Sequence, residues 1–457
     1  KNNYIMSMFL NDDKLSVVYC DITTGELNLC HLDGGLESNF ADLLNRVMPS
    51  QVIGNAKAKI FYNDLPILRF GVYPRFEEYF DYAYDTAKAT ANIEKQFGEN
   101  AVNVFELKAN KLDIPAIGGL LEYLQETQKR SLKNISKITK VKNNQFMVID
   151  MNTRRNLELV ESIRERKKYG SLFWVLDMTK TSLGGRKFRS MFDQPLQSAT
   201  QINERLDAVE ELSKNLILRD RLSESLSNIK DIERISGKIA YGNILPKDLI
   251  MLKTSLAQLP EIRDLIANTK AKKLVSTAEN LVDFGEIVSL LENAIIENPP
   301  ALIKEGGYIK EGFNEELDQL RHARQIAKLE CEKLEEFERE QTGIKNLKIH
   351  SNSVFGYYIE VTKSQIDLVP FRYQRKQTTT NGERYITEEL KNIEDKILNA
   401  EDRKIELEQK LFEEIRNILL TNISPLQQTA RQIANLDALL SLAIVANENN
   451  YIKPEIN

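Results

Sequence analysis

Two runs of the chain repeat apolar residues every three or four positions over a long distance. In residues 312–341 the repeat consists of Phe313, Leu317, Leu320, Ala327, Cys331 and Leu334. In residues 387–420 it consists of Leu390, Ile393, Ile397, Ala400, Leu407, Leu411 and Ile418. This spacing puts the apolar side chains on one face of a helix, and neither run contains proline. The pattern predicts two long antiparallel helices, each about 45 to 50 Å in length at roughly 1.5 Å per residue.

A short segment between these runs follows a different pattern. Residues 343–386 are rich in β-branched and aromatic residues, and apolar side chains alternate with polar ones at 348–350 and 358–361. Alternation with a period of two is typical of strands that bury one face. We therefore predict a small antiparallel β domain inserted at the tips of the helical arms.

The first 111 residues mix strands with helices. An alternating run at 15–21 precedes a turn at 23–25 and a second run at 26–31, which is the pattern of a β-hairpin. Helical sequence follows at 40–47. This mixture predicts a small α/β domain over residues 1–111.

Most of the remaining chain is helical in pattern. Helix starts are predicted at Thr153, Ser198 and Pro246, because hydroxyl side chains cap a first turn and proline is tolerated at its first position. Residues 112–342 and 387–457 are therefore predicted to form one discontinuous all-α core that includes the long arms. The predicted fold class is multidomain and mainly α, with the small β domain as an insertion.

The inserted β segment differs in charge from its surroundings. Between Lys345 and Arg384 there are seven cations and three acids, a net charge of +4. Each neighbouring run has a net charge of −4, with nine acids and five bases in 312–341 and ten acids and six bases in 387–420. The whole chain of 457 residues has a net charge of −5, so affinity for a polyanion must come from a local patch. A basic tip on acidic arms predicts such a patch.

The candidate contact residues combine cations with hydroxyl and amide donors. Side chains of these types bind phosphate oxygens without reading the sequence of bases. We predict contacts with a nucleic-acid backbone from Lys363, Ser364, Arg375, Lys376, Gln377, Thr378 and Asn381. The alternative is that a polar, charged loop at a hairpin tip only keeps the tip solvated.

No catalytic or metal-binding signature accompanies these residues. The phosphate-binding string G-x-x-x-x-G-K-[ST] does not occur, and Gly184 and Gly185 are better explained by a helix-opening turn or close packing of helices. His31, His322 and His350 are isolated, with no C-x-x-C or H-E-x-x-H pairing. We therefore predict no catalytic residues, no metal ligands and no cofactor for this chain.

Cysteine usage and hydropathy suggest the environment. Cys20, Cys30 and Cys331 are odd in number and lie in apolar patterns, which predicts buried free thiols and a reducing, cytoplasmic location. No apolar stretch approaches the roughly 18 residues of a membrane helix, so no membrane contact is expected. Because the chain begins at Lys1 and not at methionine, we expect a fragment whose true ends lie elsewhere.

An aromatic cluster closes the first domain and is open to two interpretations. Its members are Phe76, Tyr79, Phe80, Tyr82 and Tyr84. The rings would form either a stacking surface for bases or packing in a core or between domains. Packing is the favoured interpretation, because large aromatic side chains dominate cores and interfaces.

Four stretches carry a resemblance to a known family. They read VVYCDITTGEL within residues 1–111, NTRRNLELVESIRERKKYGSLFWVLDMTKTSLGGRKFRSMFDQPL at 152–196 with INERLDAVEEL after it, FGYYIEVTKSQIDLVPFRYQRKQTTTNGERYITEELKNIEDKILNAE at 355–401, and LDALLSLAIVANENNYIKPEI near the end. On these stretches the chain resembles the bacterial MutS family of DNA mismatch-repair proteins.

The resemblance implies a connector domain of ribonuclease H-like topology at 1–111, a helical core with lever arms, and a clamp domain at 343–386. In such proteins the levers carry the clamp tips across duplex DNA and link mismatch recognition to ATP-driven formation of a sliding clamp. The implied partners are double-stranded DNA, a MutL-like protein that docks on the connector, and a second copy in a full-length homodimer.

The resemblance also implies what this chain lacks. The family's mismatch-recognition and ATPase domains are expected to lie outside it, so no enzyme activity is expected here. ATP and magnesium are implied only for the full-length protein, which would be a DNA-dependent ATPase.

Two alternatives compete with a DNA clamp. In the first, the chain is a protein-interaction scaffold that docks a MutL-like partner through the connector. In the second, the ribonuclease H-like domain is a nuclease, for which Asp21 and Glu26 would be a meagre metal-binding set.

Overall fold

The computed structural model describes residues 3–69, 71–128, 132–141, 146, 147, 149, 151–352 and 356–456. Most of these residues are helical, and their strands form two sheets. The chain divides into two compact units, Lys1–Leu291 with Arg416–Asn457 and Glu292–Ile415. The predicted fold class, mainly helical with a small α/β domain and a small antiparallel sheet, is confirmed.

The strands and helices have the following bounds in chain order. The strands are β1 (Tyr4–Asn11), β2 (Lys14–Asp21), β3 (Glu26–Asp33), β4 (Gln51–Gly54), β5 (Phe76–Glu78), β6 (Thr139–Lys140), β7 (Lys348–Asn352), β8 (Gly356–Thr362), β9 (Gln374–Thr378) and β10 (Gly382–Ile386). The helices are α1 (Leu36–Val47), α2 (Ala56–Asn63), α3 (Thr86–Phe97), α4 (Ala101–Val104), α5 (Asp113–Gln128), α6 (Met151–Asn156), α7 (Leu172–Leu176), α8 (Ser182–Asp193), α9 (Ala199–Lys214), α10 (Leu216–Ser227), α11 (Ile232–Tyr241), α12 (Pro246–Leu256), α13 (Leu259–Ala267), α14 (Lys272–Asn280), α15 (Gly285–Ala294), α16 (Glu315–Thr342), α17 (Glu388–Leu420) and α18 (Ile423–Glu448). Shorter 3-10 segments are Pro66–Arg69, Asp81–Tyr84, Leu107–Ala109, Ile303–Glu305 and Lys363–Leu368.

The first sheet has the strand order β5-β4-β1-β2-β3-β6. β1, β2 and β3 pair antiparallel, whereas β4 pairs parallel to β1 and β5 parallel to β4. The predicted hairpin is β2 and β3, joined by a turn in which Gly25 adopts a φ of +74°. The order fits the ribonuclease H-like topology that the resemblance implied.

Helices cover both faces of this sheet. Because successive strand residues point to opposite faces, Val17 packs in one core with Phe40 of α1, and Val18 packs in the other with Leu120 of α5. The second core extends to Ile138. The predicted boundary at residue 111 therefore leaves out a helix that contributes to this core, because a helical pattern does not reveal which neighbour covers its apolar face.

α18 is the central helix of the all-α core. It contacts α7, α8, α9, α10, α11 and α14. The predicted starts at Ser198, which caps α9, and at Pro246, which opens α12, are confirmed. The start at Thr153 is wrong, because α6 already begins at Met151. α6 ends at Asn156, and the left-handed backbone of Glu158, with a φ of +47°, interrupts the helical conformation beyond it.

α8 packs tightly against α18 at Gly184. A Cβ on Gly184 would lie 2.0 Å from Oδ2 of Asp437, which confirms close packing at this glycine. The fully buried Asp437 carboxylate accepts hydrogen bonds from Lys180 N at 2.9 Å, Thr181 N at 2.8 Å and Thr181 Oγ1 at 2.7 Å. It thereby fixes the turn before α8 to α18.

The turn between β2 and β3 is anchored on the helical core. Gln427 of α18 donates to Thr24 O at 3.2 Å and to Asn134 O at 2.5 Å. Tyr241 of α11 donates to Ile22 O at 3.1 Å. These bonds lie within the first compact unit, so the α/β domain and the helical core are packed together.

The second unit contains the predicted arms. Lys396 pairs with Glu330 at 3.3 Å and Arg403 with Glu316 at 3.0 Å, so α16 and α17 run antiparallel. With 28 and 33 residues, they are about 42 and 50 Å long. Most of the predicted apolar seam is buried or half-buried, but Ile418 lies outside this unit and is 46% exposed.

Glu408 of α17 fixes the segment that precedes α16. Its carboxylate is 1% exposed and accepts hydrogen bonds from Gly307 N at 2.7 Å, Ile309 N at 3.0 Å and Arg321 Nη2 at 3.1 Å. The left-handed φ of +77° at Gly307 presents this amide without strain.

We predict that Gly184→Ala lowers the free energy of unfolding by about 1–3 kcal/mol, because the added methyl group collides with the buried Asp437 carboxylate. Gly185→Ala is the matched control, since its Cβ would meet only Thr179 Oγ1, at 3.4 Å. Alanine at that position should stabilise α8 by up to about 1 kcal/mol. Urea unfolding measures both variants, and equal effects would contradict the close contact.

Candidate nucleic-acid interface

The tip sheet comprises β7 to β10 within residues 343–386, of which 353–355 lie outside the described residues. Its strands are antiparallel in the order β7-β8-β10-β9. Ile359, Val361 and Tyr385 face its core, which Leu390 of α17 and Cys331 of α16 complete. Because β9 comes last in the strand order, it is an edge strand of the described sheet. Edge strands present unpaired backbone groups to a partner.

Predicted contact residues that are distant in sequence meet at one end of the tip sheet. The Lys363 amide donates to the carbonyl of Asn381 at 3.2 Å. Ser364 follows in the 3-10 turn, and Thr378 ends β9 opposite Glu383. The structure thus gathers four of the seven predicted residues around this end, and the other three lie along β9.

Exposure varies little within the predicted set. Gln377 is half-buried, because it lies beside Arg384 of the neighbouring strand. The exposed members are Lys363, Ser364, Arg375, Lys376, Thr378 and Asn381.

A β-bulge lies in the middle of the predicted contact segment. Gln377 pairs with Arg384 and Arg375 pairs with Tyr385, so Lys376 is the extra residue of β9 at this point. Bulges bend an edge strand and re-aim its side chains. This feature depends on pairing across two strands, and the sequence alone gave no signal for it.

Glu383 moderates the positive charge of β9. Its carboxylate lies 3.3 Å from Arg375 Nη1 and 3.5 Å from Thr378 Oγ1, and it accepts a hydrogen bond from the Tyr385 hydroxyl. The Tyr385 hydrogen bond and, to a smaller extent, the Arg375 contact lower the pKa of Glu383. The ionised carboxylate offsets part of the Arg375 charge.

Arg384 is held within the sheet. Its Nη1 donates to Gln377 Oε1 at 2.9 Å, and its Nε lies 3.4 Å from Glu360 Oε2. The guanidinium also lies over the Tyr358 ring, 4.4 Å from the centroid. Gln377 therefore uses its side-chain carbonyl inside the sheet. Within the described residues, its side-chain amide nitrogen makes no hydrogen bond and could donate to an acceptor outside the sheet.

Arg372 is a structural cation. Its two terminal nitrogens donate to the Glu338 carboxylate of α16, each at 2.7 Å, and the Tyr373 hydroxyl donates to the same carboxylate at 2.7 Å. Glu338 is fully buried, and its contact raises the pKa of Arg372. Arg372 thus ties the segment before β9 to α16, a role that counting charges could not distinguish from a surface cation.

The lysines of the tip sheet differ from its arginines. Arg372, Arg375 and Arg384 each contact a carboxylate, as described above. Across residues 151–352 and 356–456, no ion pair involves Lys345, Lys348 or Lys363. Within the described residues, these three lysines therefore supply uncompensated positive charge at the tip.

The described residues provide no metal centre. Within the ranges given above, no three or more His, Cys, Asp or Glu side chains are grouped to hold an ion. Asp21, considered for a nuclease, instead accepts hydrogen bonds from Thr23 N at 2.9 Å and Thr23 Oγ1 at 2.6 Å in the hairpin turn. Glu26 accepts a hydrogen bond from Tyr4 OH at 2.8 Å.

The cysteines are buried and free, as predicted. Burial raises the pKa of Cys30 to about 11, so the thiol stays protonated and unreactive near neutral pH. In the part of the chain that the structure describes, no helix has the length and apolar character that crossing a bilayer requires.

The aromatic cluster of the first domain is divided between core and surface. Tyr79 and Tyr84 are buried, which confirms the packing interpretation for them. Phe80 and Tyr82 are 62% and 44% exposed, and their rings stack with centroids 5.6 Å apart. The Tyr82 hydroxyl donates to Glu126 at 2.7 Å, which holds the ring in place.

Two family models match most of the chain. The model for MutS domain III matches residues 152–443, and the model for MutS domain II matches residues 3–136. The chain belongs to the MutS family. The tip sheet and both arms lie within the MutS domain III match, and the MutS domain II match includes α5, consistent with its packing on the first sheet.

Curated relatives named DNA mismatch repair protein MutS align with the whole chain. The MutS of Alkaliphilus oremlandii is 43% identical over 460 residues, that of Clostridium botulinum 44% over 461, and that of Lachnoclostridium phytofermentans 41% over 457. These alignments cover 100% of this chain and 52%, 48% and 49% of the relatives. The chain thus spans about half the length of the curated MutS proteins it matches.

Proposed function

We propose that the tip sheet of this MutS-family chain grips the phosphate backbone of duplex DNA without reading its sequence. The observation that carries the proposal is the convergence of Lys363, Thr378 and Asn381 at one end of the sheet, beside the exposed Arg375 and Lys376 of β9. Cations, hydroxyls and amides are the donors that phosphate oxygens accept. Family membership makes mismatch repair the setting for this grip.

A lever role for the arms is supported by the way the tip sheet joins them. β10 ends at Ile386 and α17 begins at Glu388, so only the buried Thr387 lies between. Thr387 Oγ1 accepts a hydrogen bond from Leu390 N at 3.3 Å, and the Glu338 carboxylate ties the segment before β9 to α16. A displacement of the arms would therefore move the sheet with them. In this proposal the levers carry the clamp tip onto and off the duplex, linking mismatch recognition to an ATP-driven sliding clamp in full-length MutS proteins.

Lys363→Glu combined with Lys376→Glu should weaken duplex binding at least about tenfold at low salt. The slope of log K against log salt should become shallower by roughly 2, since each phosphate contact contributes about 0.9. Fluorescence anisotropy with unrelated duplex sequences at several salt concentrations measures both quantities.

The matched control is Lys230→Glu with Lys247→Glu, which makes the same change in net charge at exposed positions of the helical core. It should leave the slope unchanged. Equal losses in both double variants would contradict a grip at the tip sheet.

Glu383→Gln tests the opposite change in charge. It removes the carboxylate beside Arg375 and should strengthen duplex binding.

A second proposal assigns the connector, predicted at residues 1–111, as a docking surface for a MutL-like protein. It is supported by the exposed stack of Phe80 and Tyr82, since exposed aromatic side chains are typical of interface hot spots. The two roles use different parts of the chain and are compatible. Homodimer formation and the use of ATP and magnesium stay predictions for full-length relatives.

Phe80→Ser should weaken binding of a MutL-like protein by about tenfold or more, because hot-spot truncations cost roughly 2 kcal/mol or more. Ile60→Ser is the control, since Ile60 is an exposed apolar residue of the same domain. Surface plasmon resonance with immobilised MutL-like protein measures both variants. Unchanged binding of the Phe80 variant, or an equal loss in the control, would argue against this surface.

A further inference from the structure

A polar cavity of about 190 Å³ lies among α8, α9, α14 and α18 of the helical core. It belongs to the first compact unit and shares no residue with the tip sheet. Among the described lining residues, the apolar contribution is confined to Met191 and Leu439. The lining is therefore suited to a hydrophilic occupant.

Four lining side chains have polar groups that the described structure does not use. Within the described ranges, Arg205, Lys273, Gln432 and Asn435 have no side-chain hydrogen bond or ion pair. The guanidinium of Arg205 is half-buried and remains charged at any physiological pH. Burial lowers the pKa of Arg205, so partial desolvation disfavours its charge, and an anion in the cavity would offset this cost.

The acids near the cavity do not balance these cations. Glu204, the carboxylate among the described lining residues, is paired with Lys272 at 2.7 Å. Glu233 of α11 is paired with Arg186 of α8 at 2.6 Å. The hydrogen bond from Lys272 and, to a smaller extent, the charge of Lys273 lower the pKa of Glu204. Among the described lining residues, this one acid therefore faces three cations, Arg205, Lys272 and Lys273.

Lys187 adds a third cation one helical turn before Met191 on α8. Burial lowers its pKa, and the positive charges of Arg205 and Lys273 lower it further, whereas Glu26 and Glu233 act in the opposite direction. Like charges held together in a partly desolvated place disfavour one another. An anion between them would relieve this repulsion.

We infer that this cavity binds a small oxyanion of the phosphate class, held by Arg205 and Lys273 with the amides of Gln432 and Asn435. The volume of about 190 Å³ has room for several water molecules, since roughly 10–15 Å³ suffices for one. It is well below the roughly 300 Å³ at which pockets for organic ligands begin, and the described lining has no aromatic ring for a base. Free phosphate or pyrophosphate fits these limits, and the described lining offers no stacking surface for the base of a nucleotide.

Isothermal titration calorimetry of the chain with inorganic phosphate and with pyrophosphate, in chloride buffer of constant ionic strength, tests this site. Saturable binding is expected. Arg205→Met with Lys273→Met should weaken it at least about tenfold, because these substitutions remove both cations that the anion contacts. Removing these crowded cations should leave thermal stability in chloride unchanged or higher.

Lys270→Met is the control, because Lys270 is an exposed lysine near the cavity but outside its lining. The affinity of this variant for phosphate should equal that of the unmodified chain. Gln432→Ala, which changes no charge, should also weaken binding and serves if the double variant fails to fold. Because phosphate stabilises proteins in general, a rise in melting temperature alone does not count. The inference is overturned by a lack of saturable binding, by an equal loss in Lys270→Met, or by tighter binding of ADP than of pyrophosphate.

Discussion

Buried carboxylates fix the irregular segments of this chain to its long helices. A carboxylate withdrawn from water must be hydrogen-bonded, and removing its partner typically costs about 3–5 kcal/mol. Three carboxylates that are at most 1% exposed meet this requirement with groups from distant segments: Asp437 with the turn before α8, Glu408 with the segment before α16, and Glu338 with the segment before β9. Surface ion pairs, worth about 0–1 kcal/mol, could not hold these segments as firmly.

This constraint bears directly on the proposed grip. Glu338 takes Arg372 out of the set of cations available to DNA, and Glu383 moderates Arg375. What remains at the tip is a set of lysines, the moderated Arg375, hydroxyls and amides on a small sheet that is fixed to its helices. Such a surface suits weak contact with any DNA duplex. The affinity of this contact would depend on the salt concentration and on the position of the arms.

The sequence predicted those parts of the structure that depend on local periodicity. A helix seam repeats within each arm, so the spacing in 312–341 and 387–420 was sufficient to predict α16 and α17. Contacts between residues that are distant in sequence could not be predicted from local periodicity. Glu338 looks like any acid of a solvated helix, yet it binds Arg372, 34 residues away, and the bulge at Lys376 exists only because β9 meets β10. The predicted all-α core began at residue 112, because a helical pattern at 113–128 does not show that the first sheet covers this helix. The seven contact residues stay a prediction, although Lys363 and Asn381 do lie side by side.

The most direct measurement is duplex binding across a range of salt concentrations, comparing the whole chain with a version in which a short turn replaces residues 344–386. Circular dichroism first verifies that the arms of the shortened chain remain helical. A grip by the tip sheet predicts that the whole chain binds unrelated duplexes with a log K that falls linearly with log salt, and that the shortened chain loses this binding. Equal affinity and equal salt dependence in the two proteins would contradict it.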